Sequence, residues 1–205
     1  MDSAAHKPVL VEIGGESKRP SREAAMEAVR TLIAWAGDDP AREGLKDTPR
    51  RVVDAYGDWF HGYQADVARE LSRTFEEVQG YDDMVMLRDI EVESHCEHHM
   101  APFLGRAWVA NVPTDKVVGI SKIARVVEIF SKRLQTQETL TQEIAGALES
   151  HLAPAGVAVL IDAEHQCMTT RGVHHRHVST ITTRFTGVFR EDPALQARFL
   201  KLAKG

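Results

Sequence analysis

The sequence predicts an α+β fold with a mainly antiparallel sheet. Three observations predict it. Apolar residues recur at helical spacing near the N-terminus. Four strand-like segments then come as two pairs, separated by two more helical stretches. No internal repeat is present, so nothing suggests a regular alternation of strand and helix.

Each element can be justified in turn. Residues 1 to 20 read as a flexible tail, broken by Gly14-Gly15 and Pro20. Residues 21–205 read as a single catalytic domain that includes the N-terminal helices. Ser21 can cap a first helix on which Ala25, Val29, Leu32, Ile33 and Ala36 line one face. "GDDPAREG" stops it. Thr48-Pro49 starts a second helix, with Val52, Val53, Tyr56 and Phe60 on its apolar face. "MVMLRDIEVES" and "LGRAWVANVP" tend to alternate as strands do, and Pro113 ends the second. Two helices follow, one from near Ser121 and one from near Thr136. "GVAVLIDAEHQCM" is an apolar run expected as a buried strand. "HVSTITTRFTGVF" is rich in Thr and β-branched residues, as strands are. Asp192-Pro193 opens a last short helix.

The 205 residues suffice for one domain with a real core. Apolar content of 43% and charged content of 27% are those of a globular protein. A net charge of −5 gives no general attraction to nucleic acid or to an anionic membrane. No run is long enough for a membrane span. "VLVEI" is too short for a signal sequence and is broken by Glu12. The two cysteines, Cys96 and Cys167, are expected as reduced thiols, and the chain as cytoplasmic.

"ESHCEHHMAP" places Cys96 and three histidines within five positions. Cys96 and His99 are three apart, a spacing at which a turn can bring thiolate and imidazole to one ion. Far along the chain, "DAEHQCMTTRG" sets His165 beside the second cysteine. If that run is extended, His165 and Cys167 share a face. Two thiolates and an imidazole suit zinc, and three ligands leave a fourth position open. Spacing alone also allows a closed, purely structural site. His95, His174, His175 and His177 read as ordinary histidines.

"VVGISKIARVV" is the second informative stretch. Ser121 is a candidate N-cap, and Lys122 and Arg125 line the same edge of its helix. A helix N-terminus with such charges can hold a phosphate, although an ordinary solvated helix has the same pattern. Glu138, opening the next helix, can serve the helix dipole or accept the N1–H and amino hydrogens of a guanine.

These stretches resemble the GTP cyclohydrolase I family. The words that carry the resemblance are "DTPRRV", "CEHH", "GISKIARVV", "QTQETLT" and "AEHQCMTTRGV", in that order, over about residues 21 to 190. The resemblance implies the tunnelling fold, with helices on one side of an antiparallel sheet and the sheets of several subunits joined into a barrel. It implies a homodecamer, a dimer of pentamers, with active sites between subunits. It implies hydrolysis of GTP to 7,8-dihydroneopterin triphosphate and formate, at the head of pterin and folate synthesis.

By the same resemblance, Cys96, His99 and Cys167 hold one Zn²⁺ per subunit. His98, His165 and Ser121 are catalytic, with His165 giving a proton to purine N7. Lys122, Arg125 and Arg171 bind triphosphate, with Arg51 supplied by a neighbouring subunit. Gln137 and Glu138 read guanine. The chain departs from the family pattern at Asp54, where some members carry a lysine. It departs again at "HHRHVST" (174–180), and at Leu134 and Thr136. A structural zinc protein and another pterin enzyme of the same fold are the competing readings. The pterin synthases that use three histidines for zinc lack the two cysteines found here.

Overall fold

The computed structural model describes residues 19–72, 74–75, 82–114 and 117–204. Residues 1–18 of the expected tail lie outside the described residues. The chain divides into two compact units, Met1–Phe60 and His61–Gly205.

The first unit holds two helices, α1 (Arg22–Trp35) and α2 (Thr48–Trp59). Ser21 caps α1 as predicted, its hydroxyl oxygen accepting the Ala24 N–H at 3.1 Å. Pro49 sits in the first turn of α2, where its missing N–H costs nothing. Asp54 joins the two helices: it pairs with Arg22 of α1 and lies 3.4 Å from Arg50 of α2. The departure at Asp54 thus has a local structural use.

The second unit carries the remaining elements. They are α3 (Val67–Leu71), β1 (Thr74–Phe75), β2 (Val85–Cys96), β3 (Pro102–Val112), β4 (Val117–Val118), α4 (Ile120–Ser131) and β5 (Leu134–Gln135). Then come α5 (Gln137–Leu152), β6 (Gly156–His165), α6 (Gln166–Thr169), β7 (Ser179–Phe185), α7 (Val188–Glu191) and α8 (Pro193–Lys204). Five strands form one sheet in the order β5-β2-β3-β6-β7. Every pairing is antiparallel except that of β5 with β2. The sequence expectation of a mainly antiparallel α+β fold is met. The two-residue strands β1, β4 and β5 are too short to leave a pattern.

The continuous apolar run of β6 has a direct cause, since both of its faces are covered. Val157, Val159, Ile161 and Ala163 join the core beneath α4 and α5, with Ile123, Val126, Leu140, Ile144 and Leu148. Ala158 and Leu160 point the other way, into a smaller core closed by Phe189 and Phe199 of the C-terminal helices. Each large side chain so buried is worth roughly 1.5–3 kcal/mol. β2 breaks its alternation with a bulge between Leu87 and Ile90, where Asp89 takes φ +56°.

Two local expectations are corrected. The helix expected from near Ser121 does begin there, at Ile120, but its cap residue is Gly119 and not Ser121. The Lys122 N–H already reaches the Gly119 carbonyl at 2.8 Å, so Ser121 falls inside the first turn and caps nothing. The run expected to be a strand through Met168 ends at His165. There the chain turns into α6, with the Thr169 hydroxyl donating back to the His165 carbonyl at 3.0 Å. His165 and Cys167 therefore share no strand face.

Candidate metal and substrate site

One end of the sheet assembles the site. β2 finishes at Cys96, and a tight turn returns the chain to β3. The Cys96 N–H donates to the Ala101 carbonyl, and the Met100 N–H to the Cys96 carbonyl, both at 2.8 Å. Met100 closes the turn in the left-handed region, φ +52°. This geometry folds His99 back on Cys96, with Nδ1 3.9 Å from Sγ. Register brings the second cysteine to the same place. Phe103 of β3 pairs with His165 of β6, so α6 begins beside the β2–β3 turn.

Cys96, His99 and Cys167 accordingly bring their donor atoms within 4.8 Å of one another, close enough to share one metal ion. Cys96 is buried, Cys167 half-buried and His99 exposed. Burial pushes the Cys167 thiol above its ordinary range, and the Cys96 sulfur beside it adds to the rise. Arg171 Nη1 lies 2.8 Å from His99 Nε2, while Nδ1 is the nitrogen that faces Cys96.

The candidate proton-transfer residues differ sharply. His98 projects from the turn, its side chain 69% exposed and 4.0 Å from the Glu97 carboxylate. His165 is held. Its ring stacks on Phe103, centroids 4.6 Å apart, and its Nε2 lies 2.9 Å from Gln137 Oε1. Burial favours its neutral form and draws its pKa below the usual histidine value; the Glu138 charge opposes that shift. His95 is buried, as an ordinary core histidine would be.

The basic edge of α4 is organised by a residue that the motif words do not include. Glu70 of α3 accepts from Lys122 Nζ at 2.7 Å and lies 3.5 Å from Arg125. Ser121 stands exposed beside them. Arg51 lies in the first unit, 3.7 Å from Asp47. Glu138 is exposed at the start of α5, whereas Gln137 next to it is 1% exposed. Phe103, Thr182 and Glu70 escaped sequence reasoning. Their roles depend on strand register and on packing between segments far apart in the chain.

An antiparallel α+β unit that gathers two thiols and an imidazole at one sheet end, beside a restrained histidine, has the makings of a metal centre. Comparison with known proteins gives the family. The model of GTP cyclohydrolase I matches residues 25–204. The chain is 69% identical over 185 residues to GTP cyclohydrolase 1 of Hyphomonas neptunium, covering 90% of each. It is 56% identical over 189 residues to GTP cyclohydrolase 1 of Allorhizobium ampelinum, covering 92% of this chain and 94% of that one. Among solved structures, the apo archaeosine synthase QueF-Like aligns over 51% of this chain and 94% of that one, at 18% identity and TM-score 0.41. The chain belongs to the GTP cyclohydrolase I family.

Among the described residues, no helix is long and apolar enough to cross a membrane.

Proposed function

We propose that this chain uses zinc to hydrolyse GTP, releasing formate and rearranging the remainder to 7,8-dihydroneopterin triphosphate. The observation that carries the reading is the convergence of Cys96, His99 and Cys167 at the sheet end that also holds His165.

The donor set suits zinc. Bonds of about 2.3 Å to sulfur and about 2.0–2.1 Å to nitrogen at a tetrahedral ion put those two donors about 3.6 Å apart. Cys96 Sγ and His99 Nδ1 are 3.9 Å apart. Two thiols packed together, one with a raised pKa, are also a pair whose ionisation a dication would favour. When bound, zinc supplies Lewis-acid chemistry, making water acidic enough to attack C8 of the purine near neutral pH.

The chain's own residues do the rest. His165 gives a proton to N7 as the imidazole ring of GTP opens. His98, exposed on its turn, and Ser121 serve the later opening and rearrangement of the ribose. Lys122, Arg125 and Arg171 bind the triphosphate at the N-terminal end of α4, which no side chain caps. Arg51 is contributed by a neighbouring subunit, and Glu138 reads the guanine edge. Residues 21–205 act as one catalytic domain. The subunits join their sheets into the barrel of a tunnelling fold, as a decamer with one zinc per subunit and sites between subunits. The two free thiols at the site fit a reducing, cytoplasmic setting.

The test is to incubate the purified protein with GTP, with and without a chelator. Formate and a pterin chromophore should form, and chelation should abolish both. Full activity in metal-stripped protein overturns the zinc part, and no formate from GTP overturns the whole.

A further inference from the structure

Gln137 opens α5, and its side chain is closed off from solvent. Its amide nitrogen lies 3.1 Å from the Ile161 carbonyl, 2.7 Å from the Thr180 carbonyl and 3.2 Å from Thr182 Oγ1. Its amide oxygen lies 2.9 Å from His165 Nε2. Two of the nitrogen's neighbours are backbone carbonyls, which only accept. The amide therefore has one workable orientation. Reversed, it would set its oxygen against two carbonyl oxygens.

The surrounding hydroxyls close the circuit. Thr141 donates to the main-chain carbonyl of Gln137 at 2.7 Å. Thr182 stands 2.6 Å from Thr141 Oγ1. Thr182 thus gives its proton to Thr141, and its oxygen shares the two Gln137 amide hydrogens with the Ile161 and Thr180 carbonyls. Every polar group of this buried network has a partner, which is the condition under which such a network rigidifies a site.

One consequence follows for His165. Because the Gln137 oxygen can only accept, His165 Nε2 carries a hydrogen, and the neutral ring keeps its lone pair on Nδ1. Phe103 fixes the plane of the same ring. We infer that Gln137 is a positioning residue that grips His165 by Nε2–H, leaving Nδ1 to take a proton from the attacking water and pass it to substrate. The Gln137 side chain does not read the guanine base, since it is buried and both of its amide hydrogens are already engaged. The inference rests on the proposed role of His165 in GTP turnover, and it reassigns a residue that the family resemblance places on the base.

The direct test is ¹⁵N spectroscopy of the zinc-loaded protein with labelled histidines, with His165→Gln identifying the signal. The wild type should show the Nε2–H tautomer at His165; an Nδ1–H tautomer overturns the inference. This readout needs no GTP, so its failure is separate from any failure of the GTP reaction. Kinetics give the second arm. Gln137→Met should lower kcat about 10- to 100-fold, with KM for GTP, preference over ATP and zinc content within about twofold. Gln137→Glu, whose protonated carboxyl can donate to a carbonyl and still accept from His165, should recover part of that loss. A raised KM with lost preference for GTP at unchanged kcat assigns Gln137 to base reading and overturns the inference.

Discussion

Phe103 and His165 lie face to face, their ring planes within 10° of parallel, across the register pair that joins β3 to β6. Phe103 is fully buried, so it is at once a core residue and the surface against which His165 rests. Phe103→Leu should keep the fold at a cost of roughly 1–3 kcal/mol for the side-chain volume it removes from the core, measured by urea unfolding. Turnover of GTP should fall more than that loss of stability explains, with zinc content unchanged. Unchanged turnover would show that the stack serves packing alone.

Cys96 ends β2 and Cys167 follows β6, so the two sulfurs reach the same sheet end from strands on either side of β3, and each is needed to complete the donor set. Cys96→Ser or Cys167→Ser should strip zinc and activity together, read by metal analysis of the purified protein. His98→Ala and His165→Ala should retain zinc yet fail in turnover. A His98→Ala protein that works normally would remove that residue from the mechanism.

Glu70 occupies two of the cations proposed for the triphosphate, Lys122 and Arg125. Those cations hold the Glu70 carboxyl below its usual range, the Lys122 hydrogen bond being the largest cause. Triphosphate must compete with this carboxylate for Lys122 and Arg125. Glu70→Gln should therefore lower KM for GTP several-fold and steepen its dependence on salt. A higher KM would mean that Glu70 places the two cations instead of competing for them.

Glu138 is exposed one residue after the buried Gln137, so of the two it alone presents a free carboxylate. Glu138→Ala should weaken the preference for GTP over ATP by tenfold or more, since a site built to hydrogen-bond a partner discriminates strongly through it. Equal loss for both nucleotides would argue against base reading.

Glu93 carries a pH dependence of stability. Lys132 donates to it at 2.9 Å and holds its carboxyl below the ordinary value. A depressed folded pKa means that the stabilisation is complete above the unfolded value, about 4.3. It is lost as pH falls through the folded value. With the Glu93 side chain 61% exposed, screening limits the effect to at most about 1 kcal/mol. Glu93→Gln should cost that amount at pH 7, and the gap from the parent should close in acid unfolding curves below about pH 4.

Much of this was legible in the chain. Ser21 and Thr136 announce their helices, because each hydroxyl accepts an N–H three residues on. The antiparallel sheet follows from paired alternating segments. The grouping of Cys96 with His99 follows from spacing. What stayed hidden was set by contacts between distant segments. The strand end at His165 depends on a side-chain bond from Thr169 back to the backbone, which apolar content does not record. The start of α4 at Ile120 depends on a Gly119 carbonyl, where a serine two residues later looked the better cap. The enclosure of Gln137 required β6 and β7 to stand beside α5, which no local pattern states.

The two-residue strand β5 pairs Gln135 with Cys96, and its Gln135 carbonyl accepts the Glu97 N–H at 3.0 Å. Two residues later the same stretch supplies Gln137. One short piece of chain therefore sets both the seat of Cys96, a proposed metal ligand, and the aim of the His165 imidazole. Across a panel of substitutions at Leu134 and Thr136, the departures within this piece, zinc affinity and turnover should rise and fall together. Neither property can be tuned there without carrying the other along.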